Sequence, residues 1–193
     1  MDICIFGASS ARLDACYLEA AEELGRLLAA GGHRLIFGGG NEGLMGACAR
    51  GAQSGGGEIV GVAPRFFDEP GILFSACTDF VFTETMAERK TAMEELAGAF
   101  IALPGGIGTF EEFFEVLTLK QLGRHAKPMA LLNTAGYYEP LGAMLDRAVE
   151  GGFVSAEVLT LYALCDSPAA ALEHVLHDRP RSGSVRRIID YNK

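Results

Sequence analysis

The stretch "LPGGIGTFEEFFEVL", residues 103–117, sets a glycine-rich turn directly before a helical pattern. Backbone N–H groups and the positive end of a helix dipole converge at such a turn, which makes it a natural seat for a phosphate. Glu111 and Glu112 follow within the first turns of that helix, where they repel the same anion. A ligand that suits both carries a phosphate and, a short distance away, a centre that welcomes a carboxylate. One glutamate also has a plainer reading, because Thr109 and Glu112 have the S/T-x-x-E spacing of a capping box. A cap does not require "PGGIG" ahead of it, and Gly105, Gly106 and Gly108 suggest close backbone approach to a ligand.

Two further segments carry residue types of this kind. "GGGNEGLMG" (38–46) supplies Gly39, Gly40 and Gly43 at a second turn into a helix, readable as an anion seat or as a tight turn packing helix on sheet. "TETMAERK" (83–90) combines a Thr85/Glu88 capping box with Arg89 and Lys90 early in a helix. Cations there oppose the helix dipole by about 0.3–1 kcal/mol each. An i,i+4 pair of Lys90 with Glu94 accounts for the lysine, whereas Arg89 asks for an anion beside it. The turn after the first strand, "GASSARLD", is not a GxGxxG fingerprint, so a dinucleotide cofactor has little support, although Ser9 and Ser10 could bond a ligand.

The elements that position these residues alternate along the chain. Strand-like runs at 2–7, 34–40, 57–64, 79–84, 99–106, 127–133 and 160–166 are separated by helical patterns at 13–32, 43–56, 85–98, 108–123, 137–152 and 167–177. Phe110, Phe113, Phe114 and Leu117 form one apolar stripe, leaving Glu111, Glu112 and Glu115 off it. Near-continuous apolar strands joined by helices predict a single α/β domain over 1–193. Its expected architecture is a Rossmann-like, doubly wound parallel sheet of six or seven strands with helices on both faces. In such sheets ligands bind at the carboxyl ends of the strands, where the three segments above fall. The Arg-rich end, 178–193, is expected to fray or to pack on a partner subunit.

Composition narrows the classes. The formal net charge of −9 over 193 residues argues against a nucleic-acid polymer as partner but allows a single nucleotide in a local cationic pocket. No apolar run reaches a membrane span of roughly 18 residues. The start, "MDICIFG", does not read as a signal peptide. Five cysteines without a CxxC pair suit free thiols in a reducing cytoplasm. His174 and His177 at i,i+3 match no metal motif, and no metal site is expected. GxSxG and P-loop patterns are lacking, so acyl transfer and NTP hydrolysis have no support.

"PGGIGTFEE" (104–112) with "MAERK" (86–90) resembles the PGGxGTxxE and MxxRK signatures of the LONELY GUY (LOG) family. These are cytokinin riboside 5′-monophosphate phosphoribohydrolases, often described as lysine decarboxylases. "CIFGASS", "LIFGGGNEGLMGACARGA" and "YYEPLGAMLDRAVEGGFV" extend the resemblance over about residues 3–177. It implies a cofactor-free, Rossmann-like homodimer, while the cysteines and the start of the chain suggest a cytoplasmic location. The implied reaction splits the N-glycosidic bond of adenosine 5′-monophosphate, plain or N6-prenylated, into free base and ribose 5-phosphate. The implied catalytic pair is Arg89 and Glu112. Implied substrate contacts are Ser9, Gly39, Gly40, Gly43, Met86, Lys90, Glu111 and the turn Gly105, Gly106, Ile107, Gly108 and Thr109. On this reading Arg89 also keeps Glu112 ionised, and Phe66, Phe67 and Met86 are candidates for an apolar base wall. Ala87 stands where the family commonly has His, and Ala11 and Arg12 where an early glycine is common, which leaves the base preference open. The alternative is a Rossmann-like protein that binds a nucleotide or pterin cofactor without cleaving it. Lysine decarboxylation is set aside because Lys90, Lys120, Lys127 and Lys193 do not read as a desolvated Schiff-base site.

Overall fold

The computed structural model describes residues 1–179 and 181–184. Within them lies one seven-stranded sheet, in the order β4-β3-β2-β1-β5-β6-β7, with every neighbouring pair parallel. The strands are β1 (Asp2–Phe6), β2 (Arg34–Phe37), β3 (Ile59–Pro64), β4 (Asp79–Thr83), β5 (Ala99–Ala102), β6 (Met129–Leu132) and β7 (Ala163–Cys165). The helices are α1 (Ala15–Ala30), α2 (Gly43–Ser54), α3 (Met86–Leu96), α4 (Ile107–Gln121), α5 (Glu139–Glu150) and α6 (Pro168–His177). Strand order reverses between β1 and β5, and this is the switch point where a doubly wound sheet opens a crevice.

Period-two alternation sends β1 to both cores. Ile3 and Ile5 join α1, α2 and α6 on one face, while Cys4 and Phe6 join α3 and α4 on the other. The α1–α2 pair owes its closeness to two glycines. A Cβ on Gly25 would overlap the Cys48 carbonyl and lie 2.7 Å from Ala52 N. One on Gly51 would overlap the Glu22 carbonyl and lie 3.1 Å from Arg26 N. One glycine on each helix therefore lets the two backbones touch. On α4 the expected stripe is in place: Phe113 and Leu117 are buried, and Phe110 and Phe114 pack against the same core.

Two local expectations change. The α4 helix begins at Ile107 with Gly106 as its N-cap, so Thr109 is already the third helical residue and the Thr109/Glu112 pair is not a cap. Its hydroxyl is drawn inward instead, against Gly105. The segment 160–166 gives a strand only at Ala163–Cys165, after a 3-10 turn at Ala156–Thr160. The Thr85 cap does form, accepting from Glu88 N at 3.1 Å, while Glu88 reaches back to Glu84 N at 2.9 Å. Ser167 and Pro168 open α6 as the sequence indicates. Among the described residues no helix is long and apolar enough to cross a membrane. Of the expected Arg-rich tail, Pro180 and residues 185–193 lie outside the described residues.

Candidate active site

A cavity of about 620 Å3 opens over the carboxyl ends of β1, β2 and β5. Its size is within the range of small-ligand sites. The two glycine turns border it but differ in what they offer. At α2 the turn is already occupied: the Ala8 carbonyl, from the loop after β1, accepts from Leu44 N at 2.8 Å. Gly43 sits at φ +63° with no room for a Cβ against that loop. At α4 the Gly106–Thr109 backbone meets the cavity directly. The first N–H groups of a helix have no intrahelical acceptor, so this end has the geometry of an anion seat. The turn is held from beneath, where Tyr137 donates to the Gly105 carbonyl at 2.5 Å and Tyr138 to the Leu103 carbonyl at 2.7 Å.

One helical turn further on, Glu112 enters the same cavity and accepts from Arg89 Nη1 at 2.7 Å. Both side chains are nearly out of water, at 7% and 11% exposure for Arg89 and Glu112. Arg89 also donates through Nε to the Val62 carbonyl at 3.1 Å, which fixes the guanidinium to β3. Burial pushes the Glu112 carboxyl above its ordinary value. Arg89 opposes that shift through its charge and its hydrogen bond, Glu111 adds to it, and Lys90 opposes it. The expectation that Arg89 sets Glu112 low is thus reversed in sign, because desolvation outweighs the ion pair. Cys4 lies behind the pair, and its thiol is pushed well up by burial and then by Glu112.

The other expected residues divide between cavity and scaffold. Ser9, Gly40, Met86, Gly106, Ile107, Gly108 and Thr109 line the cavity with the Arg89–Glu112 pair. Gly39, Gly43, Gly105, Lys90 and Glu111 do not. Gly39 turns the chain at φ +75° beneath Phe80. Lys90 bonds Glu111 and, at 2.7 Å, Glu115, so it ties α3 to α4 rather than pairing with Glu94. Phe67 joins Met86, Met45, Ile72 and Leu73 in an apolar wall, whereas Phe66 points elsewhere. Ala11, Arg12 and Ala87 are exposed and lie outside the lining. Asn41 and Glu42, polar residues of the β2–α2 turn, reach the cavity and were not singled out in the sequence. The signal for them was their place inside "GGGNEG". Lys120, expected not to be desolvated, is fully buried, bonded to the Leu161 carbonyl at 2.7 Å, with its pKa lowered to about 8 by burial. It sits near the far end of α4, away from the cavity lining. His174 lies 3.9 Å from Asp178, and His177 bonds the Glu173 carbonyl.

A doubly wound sheet with a free helix N-terminus and a buried Arg–Glu pair at its switch point defines a Rossmann-like protein with a charged small-ligand site. The family model described as "Possible lysine decarboxylase" matches residues 45–175. A cytokinin riboside 5′-monophosphate phosphoribohydrolase of Arabidopsis thaliana is 42% identical over 154 residues, 80% of this chain and 72% of its own length. The enzyme of that name from Rhodococcoides fascians is 42% identical over 157 residues, covering 81% and 79%. Among solved structures, the Moco carrier protein of Chlamydomonas reinhardtii superposes with a TM-score of 0.68 at 26% identity, covering 91% of this chain and 94% of its own. The chain belongs to the LONELY GUY family, whose curated members carry the phosphoribohydrolase name.

Proposed function

We propose that this protein hydrolyses the N-glycosidic bond of a nucleoside 5′-monophosphate, releasing the free base and ribose 5-phosphate. The observation that carries the reading is the buried Arg89–Glu112 pair, one helical turn from a free helix N-terminus in the same cavity. The likeness to the named phosphoribohydrolases over most of the chain supports it.

The 5′-phosphate takes the Gly106–Thr109 end of α4, where the N–H groups and the helix dipole favour an anion. This places the ribose over Glu112. Breaking the C1′–N bond develops positive charge on the ribosyl carbon, and a fixed carboxylate in a dry site stabilises that charge. Water supplies hydroxyl to C1′ and gives its proton to Glu112; the departing base nitrogen takes a proton from solvent, and Glu112 returns its own to solvent to close the cycle. Arg89 holds the carboxylate in place and moderates its pKa. Asn41, Glu42 and Ser9 are the polar groups available to the ribose hydroxyls. The apolar wall of Phe67, Met45, Met86 and Leu73 faces the base and suits adenine with or without an N6-prenyl group. The working form is a homodimer, as the family resemblance implies, and its location is cytoplasmic, as the unpatterned cysteines suggest.

The test is a time course with AMP, following adenine and ribose 5-phosphate. Equal amounts of both are expected, and adenosine, which lacks the phosphate, should be turned over far more slowly. Equal turnover of adenosine and AMP would remove the α4 seat from the account. Binding of AMP with no adenine released would favour the binding-protein reading, for which the shared fold of the Moco carrier protein speaks.

A further inference from the structure

We infer that Gly38, the residue just past β2, is a positioning residue for the proposed reaction: its bare Cα is the seat against which the Arg89 guanidinium lies to reach Glu112. A Cβ built on Gly38 would overlap Arg89 Nη2, lie 3.2 Å from Arg89 Cζ and 3.3 Å from Met45 Sδ. Gly38 is buried, and its φ is not in the left-handed region, so backbone freedom is not what calls for glycine here. Space is. The three glycines of "GGG" thus have separate duties. Gly38 makes room for an arginine of the same chain where that arginine enters the ligand cavity, Gly39 turns the backbone, and Gly40 borders the cavity beside Gly38.

The guanidinium has little freedom to yield. Its Nε is bonded to the Val62 carbonyl on β3 and its Nη1 to Glu112 on α4, so Nη2 is the corner turned to β2. A methyl group at 38 meets the far end of a side chain rather than backbone. The fold therefore survives and the displacement falls on the Arg89–Glu112 bond. Misplacing a catalytic group by about 1 Å can lower a rate on the order of 100-fold. Loss of the bond also removes the hydrogen bond that opposes the burial shift at Glu112 and weakens the Arg89 charge effect, a change that a general weakening of the fold does not produce.

This inference rests on the proposed hydrolysis for its kinetic readout, but its stability readout is independent of any activity. The experiment compares wild type, Gly38→Ala, Arg89→Ala and the double variant for Tm, for kcat/KM of base release from AMP, and for the acid limb of the pH profile. Gly38→Ala should stay folded, lose about 100-fold in kcat/KM, and show an acid limb moved to higher pH. Arg89→Ala should lower Tm in the wild-type background and change it little on top of Gly38→Ala, because the same ion pair is already broken. Additive Tm losses, or a Gly38→Ala variant with wild-type kcat/KM and acid limb, would overturn the inference. Absence of base release by the wild type would instead sink the functional reading, and the Tm cycle would still decide the role of Gly38.

Discussion

At the scale of the residue, the proposed chemistry rests on Glu112 and Arg89, and their burial sets the pH dependence it should show. Glu112→Gln keeps the side-chain shape and a hydrogen-bonding oxygen for Arg89 but removes the negative charge that meets the ribosyl cation. Its kcat should fall about 100- to 1,000-fold, the range for loss of one preorganised electrostatic group, with AMP affinity within a few-fold of wild type. The wild-type rate needs the ionised carboxylate, and burial holds that carboxyl above the usual glutamate value. As pH falls, activity should therefore be lost at a higher pH than an unperturbed glutamate titrates, and a profile bending only at the ordinary carboxylate value would contradict the burial argument. The motif "PGGIGTFEE" made Glu112 visible in the sequence, and "MAERK" did the same for Arg89. What neither motif could reveal is the sign of the pKa shift, since that depends on how dry the space between α3 and α4 is. Lys90 and Glu111 were read as substrate contacts from their neighbours in the motifs. Their side chains pair with each other and neither lines the cavity.

At the scale of the element, the site depends on how closely helices approach the sheet and one another. The α1–α2 crossing is set by Gly25 and Gly51, each lying against the other helix's backbone. Gly25→Ala should destabilise the protein by about 1–3 kcal/mol, as overpacking does, despite the better helix propensity of alanine. An unchanged or higher Tm would mean the two helices can separate freely. The α4 helix carries a second test at its other end. Lys120 has a folded pKa of about 8, below its unfolded value, so the unfolded chain binds more protons between the two. Stability should then rise with pH through and above about 8 on account of this group. That rise should vanish in Lys120→Met, as measured by Tm against pH, and its persistence would assign it to other groups. The helical stripe on α4 was legible from the phenylalanines, because amphipathic period follows directly from composition. The burial of Lys120 was not, because a lysine in a helical pattern reads as solvated until the strand and turn covering it are placed. Likewise the Thr109/Glu112 spacing mimicked a cap, and only the actual start of α4 at Ile107 separates the two.

At the scale of the molecule, alternation of apolar strands with helices was enough to foresee a parallel, doubly wound sheet, since parallel strands need long crossovers and bury both faces. Sequence reading also placed the three ligand segments at one edge of that sheet. It could not say that the N-terminal N–H groups of α2 are already bonded within the chain, which depends on where the Ala8 carbonyl lies. The homodimer of the proposed function is checked by light scattering on the purified chain, which should give twice the 20.5 kDa of one subunit. A monomeric mass at assay concentration, with full activity, would remove the dimer from the account. The central claim is the cleavage itself, and the most direct measurement is chromatographic detection of free base from AMP and N6-isopentenyl-AMP, run side by side with wild type and Glu112→Gln. The account predicts adenine and prenylated adenine from the wild type and only traces from the variant. Nucleotide that stabilises the wild type yet yields no free base would contradict it, leaving the Arg89–Glu112 pair as part of a binding site.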